Sequence, residues 1–309
     1  MSAVSRLPQS DPLYVQPSPR RLVYATGMLL DAQDFSDEQT YHRGRLAEAL
    51  VLLSGGGTLA GLRCGHAPEN AATGSPEEIL VAPGVAIDRL GRLVEVIRPA
   101  CLRLQRWYDG SLAGDGGDTL RRAAYDNPGR FLGARLRAQA GTGDVPAIPT
   151  RAVVADVYVR FVACREGLTP SFASGPYDAL NAVNTSRLRD AYELLLVARS
   201  DGLDDDFSGL PEPGPDLADI ADADLRRAAL QDAVLDAWTS NGRSGQEGQI
   251  APPAGHPPEL DPTAQFLARV LVPVTADDPP QRDGSAVLVD NWTRRFVPSV
   301  NLLSRWTGI

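Results

Sequence analysis

Lysine is missing from this 309-residue chain: all 30 basic residues are arginine, set against 39 acids for a net charge of −9. That balance excludes proteins that wrap nucleic acid, because neutralising a run of phosphates takes clustered cations. Arginine without lysine reads as coding bias with a liking for bidentate contacts, not as a site. Cysteine is scarce. Cys64, Cys101 and Cys164 are odd in number and widely spaced, with no CxxC pair, so zinc ribbons and redox motifs are unsupported. Cys64 and Cys101 border expected strands; a contact between them stays open, with buried free thiols favoured in a cytosolic product. No apolar run approaches the ~18 residues that span a membrane. The proline-bearing N-terminus lacks a signal-peptide pattern. Synthesis and assembly in the cytoplasm are expected.

Catalytic signatures are also lacking. His42, His66 and His256 each stand alone. Cys64 and His66 form one ligand pair without a second. Glu38 and His42 have helical spacing but lack the second histidine of HExxH. No GxSxG elbow occurs. Gly55, Gly56 and Gly57 follow a helix and precede no lysine, so they are not a phosphate loop. The acidic run Asp204-Asp205-Asp206 fails as a calcium loop, since Leu203 and Asp206 fall on ligand and glycine places. The expectation is a protein that is not an enzyme, with no catalytic residue, no cofactor and no metal.

What is present centres on residues 24–96. A turn at Gly27 leads into a long helix over residues 31–54, with Asp31, Asp34 and Ser36 as alternative N-caps. Glycines 55 to 57 end it. Phe35, Gln39, His42, Leu46, Ala49 and Leu53 alternate four and three apart, a heptad seam. Leu50-Val51-Leu52-Leu53 is apolar all round and should be enclosed by other structure. Two readings stand for the helix: lying on its own sheet, or docking on a copy of itself or on a neighbour. Phe35, Tyr41 and Leu46 are large for a lightly covered helix, and Glu38, Gln39 and His42 sit among them as polar contacts. Those six residues form the candidate interface. Met28-Leu29-Leu30 is expected to tuck under the helix start as a staple would.

A compact antiparallel unit follows, with turns at Pro83-Gly84 and at Asp88 to Gly91-Arg92. Residues 110–148 read as a loop-rich insertion with a short helix at 119–125, exposed except where a neighbour touches it. Residues 151–163 are a strong strand, with Val153, Val157, Val159 and Phe161 alternating; 167–184 are a long loop and 188–199 another strand. A second helix is expected over 222–238, a glycine- and proline-rich surface loop over 239–261, and a hairpin from 266–274 and 285–289. Six segments result, at 1–54, 55–108, 109–149, 150–200, 201–261 and 262–309. The fold class is α+β: a long N-terminal helix on a mainly antiparallel β-sheet or sandwich body, with a second helix in a C-terminal insertion.

Several stretches also resemble a poorly characterised family encoded beside baseplate and tail genes in extracellular contractile injection systems and phage-tail-like clusters. Gly27-Met28-Leu29-Leu30, Ala32, Asp34-Phe35, Glu38-Gln39 and Tyr41-His42 resemble its opening. Gly55 to Leu62 is a weakened form of its "GxGVVxGL" stretch. Pro83 to Asp88 with Gly91-Arg92 is similar to its "pGxAiDxxGRei" hairpin. Later pieces are Val157 to Phe161, Ser186 to Asp190 through Leu194, Leu267-Ala268-Arg269-Val270, Asp290-Asn291 and Arg294-Arg295. The resemblance implies a structural subunit at or near a baseplate or its fibre attachment. Its partners would be other baseplate or tail proteins, or further copies in a homo-oligomer, in a particle that is released or envelope-attached. It brings no catalytic residue. The competing expectation is a stand-alone β-rich binding module whose long loops recognise a glycan or cell-surface ligand.

Overall fold

The computed structural model describes residues 11–14, 20–170, 183–211, 217–238 and 250–307. The first half of the expected 239–261 surface loop and most of the proline-bearing N-terminus lie outside the described residues. Helix α1 (Ala32–Ser54) leads into six short strands: β1 (Gly57–Gly61), β2 (Cys64–Ala67), β3 (Glu78–Val81), β4 (Gly84–Ile87), β5 (Leu93–Val96) and β6 (Ala100–Arg103). Helices α2 (Leu104–Asp115) and α3 (Asp118–Arg122), strand β7 (Ala124–Asp126) and helix α4 (Ala134–Gln139) come next. Two long strands, β8 (Arg151–Pro170) and β9 (Val183–Ala198), precede α5 (Ala223–Trp238), β10 (Gln265–Pro273), β11 (Leu288–Asp290) and α6 (Val300–Thr307). The fold is α+β, and every strand ladder among the described residues is antiparallel.

β8 is the axis of the body. One edge pairs with β10, the other first with β7 and then with β9. Successive side chains of a strand point to opposite faces. The odd face (Val153, Ala155, Val157, Val159, Phe161) packs into the main core, which also holds Ile79, Val81, Val94 and Val96 from the sheets β2-β3-β6 and β1-β4-β5. The even face carries Ala152, Val154, Asp156 and Tyr158, all buried as well. Residues 128–136 cover part of it, with Phe131, Leu132 and Leu136 packed on Ala152 and Val154. β8 is therefore buried on both faces over most of its length up to Phe161.

Beyond Phe161 the body ends but the ladder does not. β8 and β9 stay paired out to Pro170 and Val183, across positions where the sequence suggests a long loop. Apolar alternation stops there: residues 165–167 and 186–190 are exposed, and cross-strand backbone hydrogen bonds, with an Arg189–Glu166 ion pair at 4.0 Å, continue the strands. The insertion at 110–148 also departs from expectation. It holds half of α2, all of α3 where the short helix is expected, β7 and α4, and Leu120, Phe131, Leu132 and Leu136 are buried. Its helix α4, of 6 residues, is too short to show a 3.6-residue period, so glycine and arginine dominate the sequence pattern there. Residues 300–307 form helix α6.

Asp31 is the N-cap of α1, closing a capping box with Asp34. Gly44, Ala47 and Val51 are its buried residues. The last turn is not enclosed by this chain: Val51 is buried, while Leu52 is half exposed and Leu53 is 87% exposed. Met28 and Leu29 do not form a staple either; both are exposed. Each expectation assumes that large apolar residues find cover within the same chain.

Ala47 is where α1 meets the body. It packs with Leu90 and with Leu13 of a short 3-10 turn, Pro12–Tyr14. Gly91 has φ +84°, and a Cβ there would stand 1.9 Å from the Ala47 carbonyl oxygen. No side chain fits without pushing the helix away. Gly91→Ala is expected to lower stability by about 2 kcal/mol or more in urea denaturation; an unchanged midpoint would show that α1 is not seated on this turn. The buried Arg92 guanidinium ties the same corner. It donates to Asp88 at 2.6 Å, to Asp11 at 3.0 Å and to Thr263 at 3.1 Å.

Candidate functional site

The helix turns 3.6 residues per round, so consecutive residues lie about 100° apart. On that wheel the seam Phe35, Gln39, His42, Leu46, Ala49 and Leu53 falls within roughly 40° of one direction, and Gly44, Ala47 and Val51 fall on the opposite side. The structure places the second set in the body and leaves every member of the first exposed. The heptad seam therefore faces away from its own protein over roughly 27 Å, from Phe35 to Leu53.

The six candidate interface residues are not equivalent. Phe35 and Leu46 are 53% and 61% exposed, and Gln39 and His42 are exposed beside them. Glu38 is half-buried, accepts from the Tyr24 hydroxyl and stands 3.8 Å from His42. Tyr41 is half-buried, edge-on to His42 and 5.6 Å beneath the Arg45 guanidinium. Exposed Val23, Tyr24, Met28 and Leu29 extend the apolar surface ahead of the helix.

Other elements are bare in the same way. α5 exposes Leu225, Leu230, Val234 and Leu235, and α6 exposes Val300, Leu302 and Trp306. The β8–β9 ribbon projects with exposed Arg165, Glu166, Arg187, Leu188 and Arg189. A two-stranded ribbon with no packed face is marginal alone. Monomeric proteins rarely leave apolar faces of this extent open, and such faces mark interaction sites.

The turn residues are structural. Gly27 is exposed with open space around it; Gly56 and Gly57 are buried between α1 and β1, with Gly55 half-buried as the C-cap. Gly84 lies against the Ala60 carbonyl and the Leu62 amide, next to Pro83 at the turn. Asp88 accepts from the amides of Leu90 and Arg92 as well as from the Arg92 guanidinium.

The fold also buries a charge cluster that is not among the candidate sites read from sequence. Asp156 lies on the covered even face of β8. Arg269, its cross-strand partner on β10, donates to both carboxylate oxygens at 2.8 and 2.9 Å. Arg199, one residue beyond β9, donates to Asp156 at 2.6 Å and to Asp201 at 2.9 and 2.5 Å. Both guanidiniums also reach main-chain carbonyls, Arg199 at Gly209 and Gly255 and Arg269 at Phe131 and Ser208, which fastens three surface loops to the sheet. Its traces in the sequence are a single acid in the otherwise uncharged run 152–159 and Arg269 in one of the stretches that carry the resemblance.

The buried Cys64 thiol lies beside the Arg294 guanidinium. Burial pushes the Cys64 thiol up to about 11 even beside Arg294, the reverse of an activated cysteine. Cys64, Cys101 and Cys164 are free thiols, Cys64 buried and Cys101 exposed. Among the described residues no three His, Cys, Asp or Glu side chains gather where they would hold a metal ion, and no helix is long and apolar enough to cross a membrane.

Three partly buried carboxyls are held below their ordinary range. Burial alone would raise Glu77, Asp201 and Asp261, but their hydrogen bonds and neighbouring cations outweigh it: Arg282 and His66 at Glu77, Arg199 at Asp201, and Thr263, Tyr14 and Arg92 at Asp261. Because the folded values are depressed, this stabilisation is present above the unfolded carboxylate value of about 4 and is lost as pH falls through the folded values. Stability from urea titrations should drop below about pH 4, and Asp201→Asn should flatten that decline. An acid limb identical in the variant would show that Asp201 does not contribute to it.

No family model matches the sequence, and no curated protein matches it.

Proposed function

We propose that this chain is a structural subunit of a phage-tail-like contractile injection particle, at or near its baseplate or fibre attachment. The observation that carries the reading is the orientation of α1, whose heptad seam points away from the body it belongs to. A seam of that kind is the surface a second helix packs against. The bare faces of α5 and α6 and the projecting ribbon fit a protein built to be covered by neighbours. The particle class comes from the family resemblance of the hairpin and helix motifs; the exposed surfaces support assembly in general. The buried ties at Arg92, at Arg269 and at Arg294, which donates to the Leu62 and Asn291 carbonyls at 2.7 and 3.0 Å, fall on residues that carry that resemblance, which suits a family defined by its scaffold.

The test uses the full chain, epitope-tagged in its native host. The tagged protein should co-sediment with sheath and tube proteins when particles are pelleted and should be found by mass spectrometry in purified particles. A chain that stays entirely in the soluble fraction while particles form normally without it would overturn the reading and favour a stand-alone binding module.

A further inference from the structure

A cavity of about 170 Å³ opens where the C-terminal end of α1 meets the β10 side of the body. Its apolar lining comes from Val51, Tyr158, Phe266 and Pro211. Arg89, Arg295, His256 and Gln265 supply the polar lining, and none of the lining residues is acidic. Arg89 donates to the Ala251 carbonyl and is partly desolvated; the neighbouring charge it feels is that of Arg295. Arg295 lies over Gly55 at the end of α1, with no carboxylate partner among the described residues. The negative end of the helix dipole is worth about half a charge there, which leaves two guanidiniums under-compensated. Tyr158 is almost wholly buried in the same wall. His256 stands edge-on to the Tyr158 ring at 5.5 Å, and its Nε2 lies 3.0 Å from the Asp261 carbonyl oxygen. As Nε2–H it donates to that carbonyl, leaving Nδ1 as an acceptor.

Most arginines buried in this protein are matched with acids or carbonyls, as at Arg92, Arg199 and Arg269. Arg89 is bonded to one carbonyl and Arg295 is exposed, neither pairs with an acid among the described residues, and both line an apolar hollow. We infer that the cavity is a binding site for a carboxylate carried on a compact apolar body, with Arg89 and Arg295 taking the carboxylate and Tyr158 and Phe266 the body. The size agrees: an engineered apolar cavity of ~150 Å³ holds benzene. Guanidinium forks match carboxylate geometry, and such charge-assisted bonds are the strong ones. The carboxylate belongs either to a free small molecule or to the chain end of a neighbouring protein. The site stands whether or not the chain is assembled into a particle.

The experiment is calorimetric titration of the purified full chain with benzoate, beside benzamide as its neutral isostere. Saturable benzoate binding is expected, with benzamide at least about tenfold weaker. Arg295→Gln should weaken benzoate by about tenfold while leaving the melting temperature unchanged, because that side chain is exposed and pairs with no acid among the described residues. N-acetylphenylalanine separates the sources: tighter binding than benzoate assigns the carboxylate to a chain end, weaker binding to a free small molecule. Equal binding of benzoate and benzamide would overturn the carboxylate, and no saturable binding of either would overturn the site.

Discussion

Asp156→Ala is expected to cost about 3–5 kcal/mol of stability. The reason is what the change leaves behind. Arg269 and Arg199 are wholly buried, and both hold Asp156. With the carboxylate gone, Arg199 keeps Asp201, but Arg269 keeps carbonyl oxygens alone. A buried guanidinium without a counter-charge costs several kcal/mol, whereas the intact cluster need not beat a well-packed apolar one. Losing it should also release residues 201–211, which the two arginines fasten to the sheet through Ser208 and Gly209. Urea denaturation of the purified chain measures the first effect, and proteolytic cutting within 201–211 under native conditions the second. Asp126→Ala is the control: its partner Arg151 is met at the surface, the Asp126 side chain is 72% exposed, and a change under about 1 kcal/mol is expected. Equal losses for the two variants would show that burial does not set the worth of these pairs.

The residues that make the α+β class legible are those whose periodicity is enforced by burial on the chain itself. Val153, Val157, Val159 and Phe161 alternate because the odd face of β8 meets the main core. The turns at Pro83-Gly84 and Asp88 to Arg92 are legible because backbone geometry there demands particular residues; Gly91 could be nothing else with Ala47 against it. Elements held by other means leave no such mark. The outer half of the β8–β9 ribbon has no covered face to show, and the short helices of the 110–148 insertion contribute single buried residues instead of a stripe.

The candidate site divides along the same line. A heptad seam on α1 can be counted from sequence, but its direction cannot. Gly44, Ala47 and Val51, two of them small, are the set turned inward, and no hydrophobic count would select them. Small residues there let the helix approach the Leu90–Gly91 turn closely, and that close seat turns the large residues out. The cavity beside Gly55 is out of reach of sequence altogether. Arg89, Arg295, Tyr158 and His256 come from four distant parts of the chain, and only the packing of β10 against the end of α1 brings them together.

The same orientation sets the second large effect. Phe35→Gln with Leu46→Gln should leave the isolated chain folded and bar it from particles. Both side chains point away from the body, and glutamine keeps helix propensity close to that of leucine, so stability should move by no more than about 0.5 kcal/mol. At an interface the two changes remove large apolar anchors. If each contributes as a central contact does, about 2 kcal/mol apiece, affinity for the neighbour falls by roughly a thousandfold. Thermal melting of the purified variant, beside mass spectrometry of particles from a strain carrying it, reads both quantities. Normal melting with loss from the particle places the seam in an intermolecular contact. Normal melting with normal incorporation removes it from any contact, and leaves α5, α6 and the ribbon as the surfaces to change next. A collapsed melting temperature would mean that Phe35 and Leu46 pack within their own chain, against the exposure that motivates the experiment.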